Sequence, residues 1–203
     1  MNAVLICLGL YVLFLLWHER WLSSPLRPGE AAAALQGKYA DMPQDERAAF
    51  ESFMDRDDGK PFYMVNLIQY RTHAEYPDGR LPDGASAAGM TGRQAGHRYE
   101  RMVIPELLKR GCYPVFVSWK LSPFLSAGGD TDFFEQVAVV RYRSRRDMLS
   151  MVAGPAFVAG VPHKWASLER TVAVPTRLFL LADARVLVPL ALLAGWALTR
   201  LLP

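Results

Sequence analysis

Residues 61–71 read PFYMVNLIQYR, and the fold class turns on this stretch. It is rich in β-branched and aromatic side chains and too short for a buried helix, so it predicts a strand. Two further runs share that character. Residues 113–121 alternate, with Tyr113, Val115, Val117, Trp119 and Leu121 on one face and Phe116, Ser118 and Lys120 on the other. Residues 133–143 follow after a turn over 122–132, with Val137, Val139 and Arg141 opposite Ala138, Val140 and Tyr142. A fourth strand is expected over 171–181.

Helical periods separate these runs. Thr91 is a good N-cap, and the pattern runs from it to Arg110 and stops at Gly111, the expected residue just past a helix end. Ala95, Tyr99, Met102, Val103 and Leu107 form its buried stripe, and Pro105 is expected to kink it. Ser144 to Asp147 resembles a capping box and opens a short helix. A second helical piece spans about 155–167, after the break at Gly154 and Pro155. The order is βαββαβ, the split order of an α+β, ferredoxin-like antiparallel sheet.

Upstream, residues 23–60 read as a Pro-rich linker and a helical segment. Pro43 opens a helix with Asp45 and Glu46 in its first turn and Phe50, Phe53 and Met54 on one face. Residues 72–90 hold two Pro-Asp-Gly turns in an unusually long loop, either a lid over a site or a disordered stretch.

The two ends differ from this middle. Residues 1–17, MNAVLICLGLYVLFLLW, and 186–199, VLVPLALLAGWALT, carry no charged side chain. They are expected to act as transmembrane helices over 1–22 and 183–203, flanking a domain at 61–182. Trp17 and Trp21 suit an interfacial belt, and positive charges near both runs place the central domain in the cytoplasm at a bacterial inner membrane. The about 165 residues between the ends fit one domain. A net charge of only +3 without a long basic run argues against nucleic acid as a partner. Cys7 and Cys112 are expected to be free thiols.

Three stretches resemble domain-of-unknown-function family 1330 of the dimeric α/β-barrel superfamily. They are Asp58-Gly-Lys-Pro61 running into Met64-Val-Asn-Leu67, the helix with Tyr99 that ends at Gly111, and the segment from Val137 to Leu168. The last includes Met148-Leu149, Pro155, Phe157 and His163-Lys164. The resemblance implies a four-stranded sheet with two helices on one face, a homodimer paired sheet to sheet, and a small cleft between sheet and helices. Related families include cofactor-free monooxygenases, isomerases and haem enzymes. It therefore implies binding of a small apolar molecule, with cofactor-free oxygenation or isomerisation as the reaction class. The rival expectation is a non-catalytic accessory or scaffold subunit of a membrane complex, with lipid and membrane proteins as partners.

His163 is the candidate acid or base, at the family's basic or histidine position; it also reads as a histidine hydrogen-bonded at a helix surface or sheet edge. Asn66, inside an apolar strand, either binds a ligand carbonyl or pins the backbone of a neighbouring loop. Arg141 either holds an anionic ligand, pairs with Glu135 or crosses a dimer interface. Tyr70, Tyr99 and Trp119 either line a pocket or fill core and interface. The four histidines are scattered, so no metal site is expected, and no phosphate loop or other cofactor motif is present.

Overall fold

The computed structural model describes residues 2–19, 24–39, 42–125 and 132–180, with 182, 188, 190–195 and 197 besides. The sheet is built from β1 (Phe62–Tyr70), β2 (Tyr113–Trp119), β3 (Gln136–Tyr142) and β4 (Leu168–Thr176). Three helices stand ahead of β1: α1 (Asn2–Glu19), α2 (Glu30–Ala34) and α3 (Gln44–Asp55). Helix α4 (Gly92–Lys109) joins β1 to β2, while α5 (Arg145–Val152) and α6 (Pro155–Ser167) join β3 to β4. The strand order is β2-β3-β1-β4, and every neighbouring pair is antiparallel. Each crossover therefore skips a strand, and α4 packs against α6.

Register decides which side chains meet. Phe62 faces Tyr142, Met64 faces Val140, Asn66 faces Ala138 and Ile68 faces Gln136 across β1 and β3. This set points at the helices: Phe62 stacks on Tyr142 at 5.1 Å and meets Phe53 of α3 edge-on at 5.2 Å. The opposite set, with Val65, Leu67, Val137, Val139, Val172 and Val174, forms the other face of the sheet. Simple alternation in β2 fails because the register shifts between Pro114 and Phe116. That bulge puts Tyr113, Phe116 and Ser118 opposite Arg141, Val139 and Val137, and sends Val117 and Trp119 to the helix side.

Local signals explain most boundaries. Thr91 and Gln94 form a reciprocal capping box at the start of α4, which continues through Pro105. Ser144 accepts from Asp147 N at the start of α5. Gly111 ends α4 with φ +66, where a side chain is strained. Gly92 is needed for space: a Cβ there would sit 2.5 Å from Arg71 O and 2.6 Å from Ser167 O. The strand expected at 171–181 starts earlier, at Leu168, directly after α6. The turn expected at 122–132 lies largely outside the described residues.

The loop at 72–90 is an ordered flap. Ala74 N donates to Met90 O at 2.8 Å, Glu75 N to Ala166 O at 3.0 Å and Ala87 N to Gly79 O at 2.9 Å. Tyr76, Leu81 and Ala87 pack on Ala95 and Ala166 to form a small second core.

Among the described residues the expected transmembrane helices are not found. Among the described residues no helix is long and apolar enough to cross a membrane. Helix α1 has 18 residues, and its uncharged run stops at Trp17, short of the about 20 that a span requires. His18 and Glu19, at the end of this helix, bond to the domain. His18 Nε2 lies 2.9 Å from Tyr113 Oη, and Arg141 donates to Glu19 Oε1 at 3.1 Å. Most of 183–203 lies outside the described residues. The membrane localisation, and with it the cytoplasmic placement of the domain, rested on those spans and falls with them. The expected lipid and membrane-protein partners drew their support from the same spans.

Candidate functional site

Helix α3 explains the position of the site. Its stripe of Phe50, Phe53 and Met54 needs an apolar partner, and Met54 is completely buried against the domain. The segment ahead of it, with Leu35 and Tyr39, packs over the same surface. Lys38 ties this segment down, donating to Ala153 O at 2.9 Å at the end of α5. Tyr39 adopts φ +54, uncommon for a bulky residue, and its hydroxyl donates to Val152 O. Burial pushes its pKa up to about 12, so it stays a donor at neutral pH.

A pocket of about 580 Å³ opens between this cover and α5–α6. Its walls are apolar, with Leu35, Phe50, Met148, Val152, Phe157 and Val161 among them. Two charged side chains line it, Lys164 and Glu46. Phe157, Val161 and Lys164 recur at helical spacing on α6, which aims the lysine into the apolar wall. The Lys164 ammonium sits 4.9 Å from the centre of the Trp165 ring. Among the described residues it has no carboxylate within salt-bridge reach. Burial lowers its pKa from the ordinary lysine value, and the charge of Glu46 opposes that shift. The pocket can thus enclose an apolar body and present one amine to a polar head.

The residues singled out from sequence fall into separate places. Tyr70 and Trp119 come together on the helix side, ring centres 6.1 Å apart, with the Arg93 guanidinium 4.1 Å over Trp119. Tyr70 Oη donates to Gln136 Oε1 at 2.7 Å, and burial pushes its pKa up to about 12. A Cβ on Gly96 would lie 2.9 Å from the Tyr70 ring, so helix and ring are in close contact there. Asn66 spends both amide hydrogens on backbone, at 3.1 Å to Met64 O and 3.0 Å to Ala138 O. Tyr99 meets Phe157 edge-on at 6.0 Å in the core, and burial raises its pKa.

Arg141 is on the opposite face of the sheet, 3% exposed, bonded to Glu19 and 3.4 Å from Gly111 O. Glu135 pairs with Arg93 rather than with Arg141, at 3.9 Å. His163 is 9% exposed and turned away from the pocket. Its Nδ1 lies 2.7 Å from Tyr76 Oη, so the flap covers it. Burial lowers the His163 pKa, and nearby Arg98 lowers it further. None of Asn66, Tyr70, Tyr99, Trp119, Arg141 and His163 lines the pocket. Among the described residues no three His, Cys, Asp or Glu side chains group as a metal site. Cys112 is a buried thiol with its pKa pushed up to about 11, chiefly by burial.

No family model matches the chain, and no curated protein matches it. Two solved structures do. The methylated RPA0582 protein is 23% identical with a TM-score of 0.57, and the match covers 71% of this chain and 98% of that one. The RPA0582 protein of unknown function from Rhodopseudomonas palustris, a structural genomics target, is likewise 23% identical, with a TM-score of 0.53 over 70% and 97%. At this identity the likeness is one of fold.

Sequence reasoning missed Lys164, Glu46 and Tyr39. Two of them lie in the segment read as linker and helix ahead of the domain. The apolar stripe of α3 was a signal that this segment packs onto something. The lysine placed within the Phe157–Val161 period of α6 was the other.

Proposed function

We propose that the chain binds a small amphipathic molecule in the pocket between α3 and α6. The apolar body lies against Leu35, Phe50 and Val152, and the polar head meets Lys164. One observation carries this reading: a lysine with no carboxylate in salt-bridge reach among the described residues stands in a largely apolar wall. Partly desolvating an amine in such a place is unfavourable for folding, and a ligand head group offsets that cost. Calorimetric titration with nonanoate tests it. Saturable binding at one site per chain is expected, abolished by Val161→Trp, which fills the pocket. Replacing Lys164 with Met is expected to weaken binding about tenfold or more, the value of a hydrogen bond to a charged group. Binding indifferent to both substitutions refutes the reading.

A second observation favours pairing of two chains. The sheet face away from α4 and α6 is apolar, and parts of it are open: Phe116 is 53% exposed and Val174 47%. A homodimer joined through this face would bury it. Light scattering is expected to give twice the chain mass, reduced to a single chain by Val139→Lys with Val174→Glu. A wild-type monomer at high micromolar concentration defeats the dimer.

A further inference from the structure

We propose that Lys164 is a nucleophilic amine that captures an apolar aldehyde or ketone as an imine. This inference rests on the α3–α6 pocket being a ligand site, and it names the head group that the site takes.

The chain has four other lysines, and three of them are visibly engaged. Lys109 donates to Glu106 at 2.6 Å, Lys120 pairs with Asp132 at 3.1 Å, and Lys38 holds the carbonyls of Ala34 and Ala153. Lys60 lies on the exposed surface ahead of β1. Lys164 differs from all four in its setting. It projects from α6 between Val161 and Trp165 into a cavity whose other walls are mostly hydrocarbon, with Glu46 and Tyr39 the polar exceptions. The pocket volume suits a medium-length chain or a small ring system.

Desolvation favours the neutral amine, and only the neutral amine has a lone pair to donate. Each unit by which the pKa falls enlarges the neutral fraction about tenfold at neutral pH. A carbonyl compound held in the pocket places its carbon beside Nζ. The nitrogen lone pair forms the C–N bond while the carbonyl π pair moves to oxygen. Oxygen gains a proton and nitrogen loses one, giving the carbinolamine. The nitrogen pair then forms C=N as the hydroxyl, protonated again, leaves as water, and the iminium nitrogen gives up its remaining proton to return the one spent on the hydroxyl. One carbonyl and one amine become one imine and one water, with no oxidant or reductant. Glu46, the carboxylate of the same pocket, is the group available to move these protons.

The test uses the full chain with nonanal and sodium cyanoborohydride at neutral pH, followed by peptide mapping of the alkylated lysines. Lys164 is expected to react at least about tenfold faster than Lys38, Lys60, Lys109 and Lys120. Nonanoate is expected to protect it, and Val161→Trp, checked for intact fold by circular dichroism, is expected to erase its lead. Alkylation that follows surface exposure, with Lys60 and Lys109 ahead of Lys164, overturns the proposal. If nonanoate still binds at the pocket in that case, only the imine chemistry falls. If nonanoate binding is also absent, the pocket reading falls as well.

Discussion

Replacing Tyr76 with Phe removes one oxygen from a contact between two buried side chains. In the folded chain Tyr76 is 7% exposed, and its hydroxyl lies 2.7 Å from Nδ1 of His163. Burial and the neighbouring Arg98 favour the neutral imidazole, and with its ring proton on Nε2 the Nδ1 atom accepts from the Tyr76 hydroxyl. The phenylalanine leaves Nδ1 without its donor beneath the flap. A buried polar atom that loses its partner costs about 1–3 kcal/mol, so a loss of about 2 kcal/mol is expected at pH 8.

The penalty depends on pH in a defined direction. The folded-state pKa of His163 is depressed below the ordinary value of 6.5, so the unfolded chain takes up a proton first. Stability from this site is complete above 6.5 and falls as the pH drops from there towards the lowered folded-state value. The slope approaches about 1.4 kcal/mol per pH unit in that window. A donor to Nδ1 favours the neutral ring, so its removal moves the folded pKa back towards 6.5 and narrows the window. The cost of Tyr76→Phe is therefore expected to be larger at pH 8 than at pH 5. Urea unfolding followed by tryptophan fluorescence at both pH values measures it. A cost under about 0.5 kcal/mol at pH 8, the scatter of ordinary surface changes, refutes the contact. A cost that grows on acidification refutes the tautomer.

Other outcomes follow from single contacts. Gly92→Ala places a methyl against the backbone of Arg71 and Ser167, so a loss of about 3 kcal/mol or failure to fold is expected by thermal denaturation. Thr91→Ala removes the reciprocal cap of α4 and is expected to cost about 1 kcal/mol in the same assay, with Thr91→Ser close to wild type. Glu19→Ala leaves the buried Arg141 guanidinium without its carboxylate. Limited proteolysis at the α1 end is expected to accelerate, and an unchanged cleavage rate would show that α1 is held by other contacts.

The β-branched runs, the Thr91 cap, the Gly111 stop and the break at Gly154 and Pro155 are local signals. They act through backbone sterics and short-range hydrogen bonds, so the order of strands and helices and the α+β class were legible along the chain. The start of β4 was not, because α6 and β4 meet without a turn residue between them. The faces of β2 were not, because one bulged residue reverses the pleat after Pro114. The first apolar run was misread for a related reason: hydropathy reports that a run is apolar but not how many residues remain in the helix. It also gives no sign that Glu19 is bonded to an arginine 122 residues away.

The site depended most on tertiary structure. Asn66, Tyr70, Tyr99, Trp119, Arg141 and His163 each stand out chemically, yet packing sends them to the core, the flap and two faces of one sheet. The pocket exists only where α3 lies over α6, more than 100 residues apart in sequence. Composition and periodicity could state that α3 has an apolar face and that Lys164 interrupts another. Which two faces meet, and how much space they leave, is set by the sum of many distant contacts that no local pattern encodes.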